Sequence, residues 1–133
     1  MIFSGKKIGI INYGCGNIFS LKSFFINLGG TVIISEDFSN LETVDIIVLP
    51  GVGSYSYAIN EIKRKSNLDS LKATILKGNK LIICICLGMQ ILFSSSDESP
   101  EINGLNIFKG KFQEFKNKLN LAKLTNIGFS KIE

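Results

Sequence analysis

The chain has 133 residues and a mass of 14.6 kDa, of which 45% are apolar and 20% charged. A chain of that length buries about two-thirds of its unfolded surface, and the composition excludes a disordered polyampholyte. Fifteen basic against eleven acidic residues leave +4, but the lysines are scattered and Arg64 is the sole arginine, so no basic stripe points to nucleic acid.

Lys7–Asn12 is the first apolar run and ends in Tyr13-Gly14-Cys15-Gly16. Ile18–Leu28 carries apolar residues at 18, 21, 24, 25 and 28, which is one helix face, with Asn17 as N-cap and Gly29-Gly30 as the stop. Thr31–Ile34 and Val44–Leu49 are two further strands, the latter closed by Pro50-Gly51-Val52-Gly53. Helical spacing returns over Ser56–Arg64 and Leu68–Leu76, Lys80–Ile85 is a fourth strand, and Gly88–Phe93 reads as the start of a helix. Leu105–Phe108 and Lys111–Phe115 are expected to form a hairpin around Lys109-Gly110, with Leu119–Thr125 as one more strand.

Apolar strands alternating with amphipathic helices predict an α/β domain, residues 1–133, with a doubly wound, flavodoxin-like, mostly parallel sheet and an antiparallel extension. The strands at Lys7–Asn12, Val44–Leu49 and Lys80–Ile85 should be adjacent. No apolar run approaches the roughly 18 residues of a bilayer span, and Met1–Lys7 lacks the apolar core of an export signal. A cytoplasmic protein that neither enters membranes nor binds nucleic acid is expected.

Ligands of such sheets bind outside the carboxyl ends of the strands, and three glycine-bearing turns fall there. The first resembles part of a dinucleotide fingerprint, with Gly14, Gly16 and, 20 residues beyond Gly16, Glu36. Phe19 stands where the third glycine belongs, and its ring is expected to block the close helix–strand contact. The turn at Ile85-Cys86-Leu87-Gly88 is sharper, because it sets a thiol on an abrupt strand-to-helix corner, the geometry of a nucleophile elbow. A small buried residue at a strand end fits that spacing equally well. Cys84 has the same alternation parity but lies within the strand, where packing explains it.

The chain has three cysteines, Cys15, Cys84 and Cys86, and no histidine. An odd number of cysteines without an export signal argues against a disulfide scaffold. Without histidine the commonest general base and metal ligand are both missing. A metal on the three thiols would lack a fourth ligand.

Three strings occur in order: Ile10–Asn17, Leu49-Pro50-Gly51-Val52-Gly53 and Cys86-Leu87-Gly88-Met89-Gln90-Ile91-Leu92-Phe93. Together they resemble the class I glutamine amidotransferases, above all the glutaminase subunits of imidazole glycerol phosphate synthases. The likeness runs from Lys7 to Ile127-Gly128-Phe129. It implies that Cys86 attacks the amide of glutamine, forming a glutamyl thioester and releasing ammonia. The N–H groups of Leu87 and Val52 would hold the oxyanion, and Gly53, Gln90 and Glu98 the amino-acid end of glutamine. Asn12, Tyr13 and Asn17 would face the partner, a (β/α)8-barrel cyclase that uses the ammonia to make imidazole glycerol phosphate in histidine biosynthesis. No cofactor and no metal is implied.

The family's activating His and Glu lie beyond the last residue of this chain, so the resemblance implies a chain truncated at its C-terminal end. Cys84 stands where the family usually has glycine, and Asn126 replaces a histidine. Two other readings share the motifs. One is an ammonia-supplying subunit for a sugar amidotransferase of surface-polysaccharide synthesis, and the other is a catalytically inactive docking module.

Overall fold

Four apolar runs pair as parallel strands in the order β2-β1-β3-β4. The computed structural model describes residues 1–65 and 68–114. The strands are β1 (Lys7–Ile11), β2 (Thr31–Ser35), β3 (Ile46–Leu49) and β4 (Leu81–Cys84); α1 (Ile18–Asn27), α2 (Tyr55–Lys65) and α3 (Leu68–Leu76) lie between them. The expected adjacency of the first, third and fourth runs is therefore observed. No helix among the described residues is long and apolar enough to cross a membrane.

Register explains why the strand interiors are apolar. Ile8 and Ile10 stand beside Ile46 and Val48, and Val48 beside Ile83. These residues pack on one face with Ile18 and Phe25 of α1. Ile11, Ile47, Leu49, Ile82 and Cys84 project to the other face, against Ala58, Ile59 and Ile62 of α2 and Leu71 of α3. Alternation of side chains on a sheet covered from both sides makes the central positions of each strand apolar. Gly9 lies on the second face, where an added Cβ would come 2.5 Å from Leu41 Cδ2. Leu41 belongs to a 3-10 turn, Phe38–Thr43, that the apolar spacing did not reveal.

Asn17 does cap α1, its Oδ1 accepting from the Ser20 N–H at 3.2 Å, and the helix ends before Gly29. β4 lies at the edge of the sheet among the described residues, its last three residues half-buried and Leu81 exposed.

The segment after Cys86 differs most. The helix read over Gly88–Phe93 is a single turn, α4 (Leu87–Gln90), and the chain then enters β5 (Phe93–Ser96). No hairpin turns at Lys109-Gly110. Phe108–Phe112 is one continuous strand, β6, paired parallel to β5, so the expected antiparallel extension is corrected to a parallel pair. Phe108 and Phe112 both pack on Phe93, with ring centroids 5.6 and 4.9 Å away, which holds β6 straight. The register slips by one residue between Phe93 and Ser95, and Gly110, at φ 149°, supplies the bulge. The glycine marks a bulge where the sequence pattern read a turn. Leu119–Thr125, Asn126 and Ile127-Gly128-Phe129 lie outside the described residues.

Candidate active site at the carboxyl edge of the sheet

The turns after β1, β3 and β4 meet at one rim. A Cβ added at Gly51 would lie 2.6 Å from the Gly88 nitrogen, 2.7 Å from Leu87 Cβ and 2.9 Å from Tyr13 Oη. At Gly88 it would overlap the carbonyl oxygen of Leu49. The two glycines are therefore required by close backbone approach, which draws the Pro50–Gly53 turn onto the corner that carries Cys86.

Cys86 sits on that corner with φ 49° and ψ −109°, exposed to solvent. A positive φ at a residue with a side chain is uncommon and costs of the order of 1 kcal/mol or more, so its presence points to a functional demand. The Gly88 N–H donates to the Ile85 carbonyl and those of Met89 and Gln90 to the Cys86 carbonyl, which locks the corner. Helix α4 has only four residues, so the stabilisation of a thiolate by a long helix dipole is not available here. Val52 is exposed, Gly53 has open space around it, and Leu87 is buried.

Burial holds the other two thiols towards their protonated form. Burial pushes Cys84 from 9.0 up to about 11. Cys15 is buried and also raised, by burial first and then by the Glu61 carboxylate, with Lys65 opposing. A buried thiol ionises poorly because the low dielectric penalises the thiolate.

A cleft of about 420 Å³ lies beside this rim, lined by Gln90, Ser96, Asp97, Glu98 and Phe112 among others. It brings together two residues expected to hold a ligand's amino-acid end, Gln90 and Glu98. Neither Cys86 nor Gly53 lines it. Glu98 Oε1 accepts from the Tyr55 N–H at 2.9 Å, so its carboxylate caps the start of α2. The Ser-rich loop that carries Glu98 is thereby tied to the helix following the Pro50–Gly53 turn. Its backbone partner was not readable from the sequence, because Tyr55 is 43 positions away.

The three residues expected to face a partner separate. Asn12 is half-buried, donating from Nδ2 to Glu36 Oε1 at 3.2 Å, while Asn17 is exposed and spent as the α1 cap. Tyr13 is corrected: it is 1% exposed, and its hydroxyl donates to the Pro50 carbonyl. Glu36, placed by the partial fingerprint at a ribose, pairs instead with Lys65 Nζ at 2.9 Å. Phe19, expected to obstruct α1, is 77% exposed and obstructs nothing. The close approach at that turn is made by Gly16, where a Cβ would lie 3.0 Å from Pro50 Cβ.

No protein-family model matches the chain. It is similar to the imidazole glycerol phosphate synthase subunit HisH of Lactococcus lactis, 37% identical over 128 residues, which cover 89% of this chain and 63% of that one. The HisH subunit of Bacillus velezensis is 34% identical over 128 residues, 94% of this chain and 60% of the relative. That of Prochlorococcus marinus is 41% identical over 114 residues, 86% and 55% respectively. The chain thus spans under two-thirds of these relatives' length. A solved glutamine amidotransferase superposes with a TM-score of 0.68 at 17% identity, over 80% of this chain and 56% of that one, which shows a shared fold.

Proposed function

Because the chain belongs to the class I glutamine amidotransferases, HisH-like over the stretch it shares with them, we propose that it is part of a glutaminase subunit in histidine biosynthesis. The observation that carries this reading is Cys86, an exposed thiol on a positive-φ corner, clasped by the Pro50–Gly53 turn. In this reading the Cys86 thiolate attacks the side-chain amide carbon of glutamine. The tetrahedral oxyanion takes hydrogen bonds from the Leu87 and Val52 N–H groups, donors worth roughly 3–4 kcal/mol each in acyl-transfer sites. Ammonia then leaves, and water hydrolyses the thioester to glutamate. Gly53, Gln90 and Glu98 hold the amino-acid end, with Glu98 doing so while it caps α2. The ammonia passes to a (β/α)8-barrel cyclase docked over Asn12 and Asn17, in a cytoplasmic heterodimer.

One step lies outside these residues. Removing the thiol proton needs a general base, delivering it to the leaving nitrogen needs the same group as general acid, and the chain has no histidine. That observation favours a second reading, a docking module that binds a barrel without hydrolysing glutamine. Labelling with a glutamine-mimicking diazoketone separates the two. The glutaminase reading expects Cys86 to be alkylated and excess glutamine to protect it. Alkylation of Cys86 that glutamine does not slow would overturn it in favour of docking alone.

A further inference from the structure

Side chains from elsewhere hold the Pro50–Gly53 turn at both ends. At its start the Tyr13 hydroxyl donates to the Pro50 carbonyl. Beyond its end the Glu98 carboxylate accepts from the Tyr55 N–H. Between those ties lie two glycines, and Gly53 takes a φ of 114°, so the backbone of the turn does little to fix its own shape. The Pro50–Gly51 peptide is trans, which turns its N–H away from its carbonyl and so away from Tyr13. A Cβ added at Gly16 would lie 3.5 Å from the Gly51 nitrogen, so that edge of the peptide faces the turn after β1. The next donor along is the N–H of the exposed Val52. Among the described residues neither it nor the Leu87 N–H donates to any protein group. A phenylalanine would fill the buried site of the Tyr13 ring equally well, and packing therefore does not account for the hydroxyl.

We propose that Tyr13 is a positioning residue, whose hydroxyl holds the Pro50–Gly51 peptide so that the Val52 N–H is fixed as a partner to the Leu87 N–H at Cys86. The inference rests on the glutaminase reading, in which those two donors share the oxyanion. Tyr13 touches neither substrate nor reacting atoms and acts through the Pro50 carbonyl alone. Misplacing a group by about 1 Å can cost about a hundredfold in rate. A loosened tie so near the donor is therefore felt where charge develops and hardly at all where a ligand is merely held.

The nitrile analogue of glutamine, with C≡N in place of the side-chain amide, separates these effects without turnover. The Cys86 sulfur adds to the nitrile carbon, one C–N π bond becomes a lone pair on nitrogen, and that nitrogen takes the thiol proton. The product is a reversible thioimidate with no leaving group, its nitrogen in the place of the oxyanion. Protection of Cys86 in the 133-residue chain from methyl methanethiolsulfonate, followed by fragment-ion mass, gives the half-protecting concentration of the nitrile and of glutamine. In Tyr13→Phe the value for the nitrile should rise about tenfold or more, that for glutamine less than about twofold, and the unprotected labelling rate should hold within about twofold. A nitrile value that does not move, or that moves no more than the glutamine value, would overturn the proposal and leave the glutaminase reading standing. Failure of glutamine to protect the unmutated chain would instead remove that reading, and the inference with it. Should Tyr13→Phe fail to fold, the unmutated chain labelled with 15N-valine decides, since its valines are Val32, Val44, Val48 and Val52. The Val52 N–H resonance should move downfield when the nitrile binds, and a Val52 resonance that stays in place would overturn the proposal.

Discussion

The hydroxyl of Tyr13 donates to the backbone carbonyl of Pro50, tying the turn after β1 to the turn after β3. The same ring lies against the point where Gly51 meets Leu87 and Gly88. A side chain that the family resemblance assigns to a partner surface is thus the internal prop of the rim.

Tyr13→Phe removes this donor and leaves a buried carbonyl unpaired. The expected loss is about 1–2 kcal/mol, read as a lower midpoint in urea at unchanged slope. Burial, then the neighbouring thiols, raises the Tyr13 phenol well above its ordinary value. The native state therefore favours the neutral phenol. The stability this contributes is complete below the unfolded value near 10 and is lost as the pH rises above it. Tyr13→Phe should accordingly lose less stability than the unmutated chain above about pH 10, measured by urea midpoints across that range.

Gly88→Ala places a methyl group on the Leu49 carbonyl oxygen, a backbone atom that cannot swing aside. A loss of more than about 3 kcal/mol is expected, against less than about 1 kcal/mol for a substitution at an uncrowded exposed site such as Ser20→Ala. Thermal melts of the two variants make the comparison. Equal melting temperatures would contradict the close approach at Gly88.

Glu98→Ala removes the acceptor for the Tyr55 N–H and should cost about 1 kcal/mol, as loss of a helix cap does. Glu98→Gln keeps an oxygen in place and should cost less. Amide exchange at Tyr55 is the direct readout, faster in Glu98→Ala than in Glu98→Gln.

Leu81 is 59% exposed on the edge strand β4, in a run of apolar residues without charge or proline. Such edges recruit further strands, and a lysine on the edge opposes that. Leu81→Lys should shift sedimentation towards monomer. An unchanged distribution would show that the β4 edge does not mediate association.

A polypeptide of these 133 residues should turn over glutamine negligibly even with a barrel cyclase added. Losing the base of such a site costs about three orders of magnitude or more. Partner-stimulated ammonia release that disappears in Cys86→Ala would contradict this and imply a base supplied by the partner.

The periodicity of the sequence determined the four parallel strands, the three longer helices and the corner that bears Cys86. It did so because a sheet covered on both faces demands unbroken apolar runs, and Gly and Asn at helix ends act within a few residues of where they stand. The region after Cys86 was legible only in part. Phe93–Ser96 is too short and polar to declare itself a strand, and Gly110 serves a bulge as readily as a turn. The decision was made by Phe93, which packs with both Phe108 and Phe112. The hydrogen-bond partners of Tyr13 and Glu98 and the exposure of Phe19 were likewise set by tertiary structure. Each depends on what the chain brings to that side chain from elsewhere: Pro50 to Tyr13, Tyr55 to Glu98, solvent to Phe19. Local spacing specifies which residues share a face of an element, whereas the partner of a polar side chain is set by the folding of distant segments onto one another.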